Sequence, residues 1–120
     1  MTSILVVDDR AEIRATLRAI LERSGYEVEL AKNGQEALDL YRASTPDLML
    51  LDMFMPVMNG FDTLFLLRQE FPDAKVIAVS GGGVNMGADA LEEARNLGAQ
   101  STLQKPIGRQ QLLDAIEALL

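Results

Sequence analysis

Ile4-Leu5-Val6-Val7-Asp8-Asp9 is a short apolar run that ends abruptly on two carboxylates. Apolar residues in unbroken succession do not alternate, which is the pattern of a strand buried on both faces, as in a parallel sheet covered by helices. The residues that follow read as one such helix. Ile13, Leu17, Ile20 and Leu21 recur at i, i+4, i+7 and i+8, and Gly25 stops the run. Working outward, the same unit returns four more times. A strand over 27–30 leads to a helix opened by Asn33 with Glu36 three residues on. Leu48-Met49-Leu50-Leu51 leads, through a loop from Pro56 to Asn59, to a helix carrying Phe61, Leu64, Leu67 and Phe71 and ended by Pro72. Val76-Ile77-Ala78-Val79 leads through Gly81-Gly82-Gly83 to a helix that Asp89 and Glu92 would cap and Gly98 would end. A weaker strand over 101–103 precedes a last helix from about Arg109. Strictly alternating strands and helices predict an α/β fold with a five-stranded parallel sheet between two helical layers, as one domain over residues 1–120.

Composition narrows the chemistry. The chain has 120 residues, 11 Lys plus Arg against 18 Asp plus Glu, a formal charge of −7, and no His, Cys or Trp. Disulfides, zinc and iron–sulfur sites, Ser-His-Asp and Cys-His catalysis and a phosphohistidine on this chain are therefore excluded. The negative charge disfavours nucleic acid and anionic membranes as direct partners and favours a cation. No apolar stretch approaches the ~20 residues of a membrane span, and no basic segment precedes the first strand, so a cytoplasmic protein is expected.

The polar interruptions fall at equivalent places. Asp8 and Asp9 follow the first strand, Asp52 the third, Ser80 the fourth, and Lys105 lies just past the fifth. In an open parallel sheet the carboxyl ends of the strands share one edge, and ligands bind where the strand order reverses. With the doubly wound, flavodoxin-like order 2-1-3-4-5, that point lies between strands one and three, and the spacing predicts a single acidic pocket. Each residue also has a plainer reading. Asp9 with Glu12 has the spacing of a capping box, Asp52 suits a turn that accepts backbone hydrogen bonds, and Ser80 suits a glycine-rich turn. Nothing local explains Lys105, which precedes a helix amino terminus, where the macrodipole disfavours a cation.

Taken together, these residues demand more. Carboxylates repel, and a pair at 4 Å costs about 1–4 kcal/mol at effective dielectrics between water and a protein surface. Hard oxygen donors without His or Cys suit Mg²⁺, which commonly bridges one or two carboxylates to a phosphate. A lysine adds a point charge for phosphate oxygens and a serine a hydroxyl donor. The set reads as a phosphoryl-transfer site whose nucleophile is a carboxylate.

In Val6-Val7-Asp8-Asp9, Leu51-Asp52-Met53-Phe54-Met55-Pro56 with Gly60, Val79-Ser80-Gly81 and Lys105-Pro106, taken in order, the whole chain resembles the CheY-like receiver domains of bacterial two-component response regulators. The resemblance implies that Asp52 accepts a phosphoryl group from a sensor histidine kinase or a histidine phosphotransfer protein. It implies that Asp9 binds Mg²⁺ directly, Asp8 through water, and Phe54 through its backbone carbonyl. Lys105 would contact the phosphoryl group, and Ser80 would swing towards it and carry the following loop, switching that face for a downstream protein effector. It also implies a cis peptide between Lys105 and Pro106, and by analogy kinase contacts at Arg14, Leu17 and Ile107. Such a chain is not an enzyme in the usual sense, since it catalyses only its own phosphorylation and dephosphorylation.

Three departures matter. Many receivers carry an aromatic ring three residues before the lysine, where this chain has Thr102, so output is expected through the segment from Gly81 to Gly87 and the helix after it. That segment lengthens the stretch between Ser80 and Lys105, and its glycines make it costly to order. Phe54 is bulky enough to shield an acyl phosphate, whereas Gly82 would shield nothing. A flavodoxin-like FMN binder shares the strand order but wants a phosphate-cradling loop where Asp8-Asp9 would repel phosphate. An aspartate-based phosphatase of the haloacid-dehalogenase type wants Asp-x-Asp after strand one, which Asp8-Asp9-Arg10 does not match. A stand-alone receiver or phosphorelay intermediate is expected, with the receiver portion of a longer transcription factor as the alternative.

Overall fold

The computed structural model describes residues 1–81 and 86–120, with 86–88 described by backbone alone. Ten elements alternate strictly: β1 (Ser3–Val7), α1 (Ala11–Arg23), β2 (Glu27–Ala31), α2 (Gly34–Ser44), β3 (Leu48–Asp52), α3 (Gly60–Glu70), β4 (Val76–Ser80), α4 (Met86–Asn96), β5 (Ser101–Gln104) and α5 (Arg109–Leu119). The strands form one parallel sheet in the order β2-β1-β3-β4-β5, the order expected from the sequence.

Strand geometry sends alternate residues to opposite faces, and here both faces are buried. Ile4 and Val6 join Leu48, Leu50, Ile77, Val79 and Leu103 beneath α1 and α5. Leu5 and Val7 join Met49, Leu51, Val76 and Ala78 beneath α2, α3 and α4. Burying each leucine of this kind contributes about 1.5–3 kcal/mol. β3, between β1 and β4, is buried at every position, including its terminal Asp52.

The caps explain most boundaries. Asn33 accepts the Glu36 N–H at 2.8 Å and Asn59 accepts the Asp62 N–H at 2.9 Å, opening α2 and α3. Gly25 at φ 92° and Gly98 at φ 109° end α1 and α4 in the left-handed conformation that glycine adopts without strain. Two expectations need correction. The Asp9–Glu12 capping box does not form: Arg10 is the N-cap of α1 and makes no side-chain cap bond. α4 begins at Met86, so Asp89 lies inside its first turn, not at its cap. The switching role expected of Gly81–Gly87, and the comparison with Gly82, fall largely outside the described residues.

Gly60 brings α3 against the end of β3. Its N–H donates to the Met53 carbonyl at 2.9 Å, and a Cβ at this position would collide with the Asp52 carbonyl oxygen and the Met53 Cα. Only glycine allows this approach, which seats the helix beside Asp52.

Candidate functional site

The carboxyl edge of the sheet gathers the predicted residues. Asp8 and Asp52, at the ends of adjacent strands, are only 2% and 4% exposed, and they are held in matching ways. Asp8 Oδ1 accepts the N–H of Arg10, two residues on, at 2.9 Å; Asp52 Oδ1 accepts the N–H of Phe54, two residues on, at 3.1 Å. Each carboxylate thus closes its own turn with one oxygen and turns the other to a shared cation. Lys105 Nζ lies 2.9 Å from Asp8 Oδ2 and 3.4 Å from Asp52 Oδ2. The turn role read from the sequence is real, and it orients the functional oxygen.

Lys105 is anchored in turn. Its N–H donates to the Ser80 carbonyl at 2.8 Å, and its peptide bond to Pro106 is cis, as the resemblance implied. The absence of a side chain at Gly81 lets the lysine stem pass: a Cβ there would stand 2.9 Å from Lys105 Cδ. Ser80 itself is fully buried at the end of β4. Asp9, by contrast, is exposed and does not cap α1, whose N-cap is Arg10.

Asp9, Arg10, Asp52, Phe54, Gly81 and Lys105 line a cavity of about 310 Å³. Phe54 is 44% exposed and meets Phe61 edge-on, with ring centroids 5.8 Å apart. Burial raises the Asp52 pKa above the ordinary carboxylate value, and the Asp8 charge raises it further, against the Phe54 N–H and Lys105, which pull it down. Burial alone would lower the Lys105 pKa. The hydrogen bond to Asp8 and the charges of both carboxylates outweigh it, so the lysine holds its proton more tightly than usual.

One lysine does not neutralise this cluster. Oxygens of Asp8, Asp9 and Asp52, one from each, lie within 4.8 Å of one another, an all-oxygen set of the kind a hard divalent cation takes. The residues therefore fit Mg²⁺, three carboxylates against one lysine leaving negative charge for a cation to offset. Magnesium would relieve that charge.

Two arginines complete the surroundings. Arg14 donates to the Asp8 carbonyl at 2.7 Å, tying α1 to the acidic turn, a contact the sequence expectation of a kinase-facing residue did not include. Arg10 was missed altogether; its signal was a cation immediately after the acid pair. A second groove, of about 510 Å³, runs from Arg10 and Lys105 along Ile13, Leu17, Pro106 and Ile107, so two of the residues expected to meet a kinase, Leu17 and Ile107, share it. Among the described residues no helix is long and apolar enough to cross a membrane.

Comparison with known proteins agrees with this geometry. The family profile described as "Response regulator receiver domain" matches residues 4–117. Among curated proteins, the chain is 36% identical to the chemotaxis protein CheY of Thermotoga maritima over 115 residues, covering 94% of this chain and 92% of that one. It is 39% identical to the transcriptional regulatory protein CpxR of Escherichia coli K12 over 120 residues, covering all of this chain and 50% of that one. The chain thus spans about half the length of several curated relatives it matches. Among solved structures, the chemotaxis protein CheY4 of Vibrio cholerae superposes with a TM-score of 0.90 at 30% identity, covering 100% of this chain and 99% of that one. The chain belongs to the response regulator receiver domain family, the CheY-like phosphoacceptor modules of two-component signalling.

Proposed function

We propose that Asp52 is the phosphoacceptor of this receiver and takes its phosphoryl group from the phosphohistidine of a sensor kinase or a histidine phosphotransfer protein. The observation that carries the reading is the pair of buried carboxylates, Asp8 and Asp52, bridged by Lys105 at 2.9 and 3.4 Å beside Asp9 at the point where the strand order reverses. Asp9 and Asp52 would hold Mg²⁺ directly, Asp8 through water, and the Phe54 carbonyl would complete the protein's share. Bound there, the metal supplies positive charge to phosphoryl oxygens and offsets the carboxylates.

The residues divide the remaining work. Phe54 N–H keeps Asp52 Oδ1 in its turn and leaves Oδ2 towards Lys105. An Asp52 oxygen attacks phosphorus, the P–N bond of the donor breaks, and the imidazole leaves with the bonding pair. Lys105 already faces Asp52 and needs only to exchange a carboxylate oxygen for a phosphoryl oxygen. The Ser80 hydroxyl donates to the same group, and its movement carries the switch to the segment after β4 and the adjacent face. Phe54, on the cavity rim, shields the acyl phosphate from water. The groove beside α1, with Leu17 and Ile107, seats the donor in the cytoplasm, and a protein partner reads the product.

Incubation of the chain with Mg²⁺ and acetyl phosphate, followed by intact mass, tests this reading. Wild type should gain one phosphoryl group and Asp52→Asn none; uptake by the variant would refute the assignment.

A further inference from the structure

We propose that Arg10 is a second phosphoryl-binding cation, one that leaves Glu12 to meet the incoming donor; the inference rests on the reading of Asp52 as phosphoacceptor. The acidic cavity and the apolar groove beside it share three lining residues, Arg10, Gly81 and Lys105. Glycine contributes no side chain, so two cations mark the boundary that a phosphoryl group crosses on its way to Asp52.

They are held differently. Lys105 is 20% exposed and committed to two buried carboxylates. Arg10 is fixed at its backbone and loose at its tip. Its N–H is bound by Asp8 at 2.9 Å and its carbonyl by the Arg14 N–H at 3.1 Å, while its Nε reaches Glu12 at 3.0 Å with the two side chains 63% and 67% exposed. Ion pairs between solvated side chains hold weakly and exchange readily. A guanidinium that meets a carboxylate through Nε has further donors to offer, and their planar fork matches phosphoryl oxygens.

The electrostatics call for such a residue. An arriving phosphoryl group brings negative charge to three clustered carboxylates, two of which already share Lys105. With acetyl phosphate as donor, the bond from Asp52 to phosphorus forms as the P–O bond to the acetyl group breaks, and acetate leaves with the bonding pair. Arg10 keeps its protons and forms no covalent bond. It supplies charge and orientation to phosphoryl oxygens at the cavity mouth.

The test is the initial rate of phosphoryl gain by the full chain, followed by intact mass at saturating Mg²⁺ over a series of acetyl phosphate concentrations. Arg10→Gln should raise the half-saturating concentration by about fivefold. Glu12→Gln releases the guanidinium and should lower it, and the double variant should behave as Arg10→Gln does. Opposite signs separate this role from a surface staple on α1, for which both single variants would shift together. An unchanged half-saturation in Arg10→Gln, or the same direction of shift in both single variants, overturns the proposal. So does a loss of Mg²⁺ binding in Arg10→Gln, read as thermal shift without phosphodonor, since Arg10 would then act through Asp9. A wild type that gains no phosphoryl group removes the phosphoacceptor reading and this inference with it. A phosphorylated wild type with an indifferent Arg10→Gln removes this inference alone.

Discussion

The two edges of the sheet are both lined with polar side chains, and they use them in opposite ways. At the amino edge Asp47, Gln100 and Arg68 close onto partners. Asp47 accepts the Ser3 N–H at 2.8 Å and returns its own N–H to the Ser3 carbonyl at 2.9 Å. Gln100 accepts the Val76 N–H at 2.8 Å and donates to the Ala74 carbonyl at 3.0 Å, while Arg68 joins it to the Gly98 carbonyl at 2.6 Å. At the carboxyl edge, three carboxylates crowd within 4.8 Å and one lysine serves two of them. The first arrangement saturates hydrogen bonds and fastens loops. The second concentrates like charge, which adds nothing to a fold and makes sense as a seat for a cation and a phosphoryl group.

Substitutions on the two edges should therefore separate stability from chemistry. The largest effect on stability is expected for Lys105→Ala, which strips the cation from two buried carboxylates. Without divalent metal it should cost about 2–3 kcal/mol in urea denaturation, less than for a fully buried pair because the lysine is partly exposed. Added Mg²⁺ should recover part of the loss, and a cost near zero would break the contrast. Gln100→Ala, at the other edge, removes two backbone-satisfying hydrogen bonds and should cost about 1–2 kcal/mol. Its rate of phosphoryl gain should match wild type; a changed rate would mean that the edges are not independent.

The smallest effect carries the most telling sign. Because the Asp52 pKa is raised in the folded chain, the folded state holds that proton more tightly than the unfolded state does. Its contribution to stability is present below the ordinary carboxylate range and is lost as pH rises through the raised value. Asp52→Asn should therefore be more stable than wild type by about 1 kcal/mol at neutral pH without metal. The advantage should vanish in acid. A variant less stable than wild type at neutral pH would contradict the account of the cavity as charge-strained.

The strands were legible because unbroken apolar runs admit few readings and because Asp8, Asp52, Ser80 and Lys105 interrupt them at equivalent places; their order followed from the doubly wound fold class, not from any run. Turn chemistry was less legible. The spacing of Asp9 and Glu12 meets the capping-box rule, yet α1 takes Arg10, one residue later, as its N-cap, and Asp8 closes the turn before it. Spacing alone does not say which of two adjacent carboxylates a turn will bury, and that choice leaves Asp9 exposed. The start of α4 was misjudged because Asp89 and Glu92 have the spacing of a capping pair, although both lie inside the helix. Arg68 and Gln100 lie far apart in sequence and carry no local signal. Their pairing exists only once β4 and β5 are side by side.

The central claim is that the acidic edge is a metal-dependent phosphoacceptor, and phosphoryl uptake across a Mg²⁺ titration, read by intact mass for wild type beside Asp9→Ala, tests it most directly. Uptake by wild type should be abolished by a chelator and should saturate with Mg²⁺, and Asp9→Ala should need roughly tenfold more metal or fail to respond. Uptake undiminished by chelator, or an Asp9→Ala curve that overlays wild type, would contradict it.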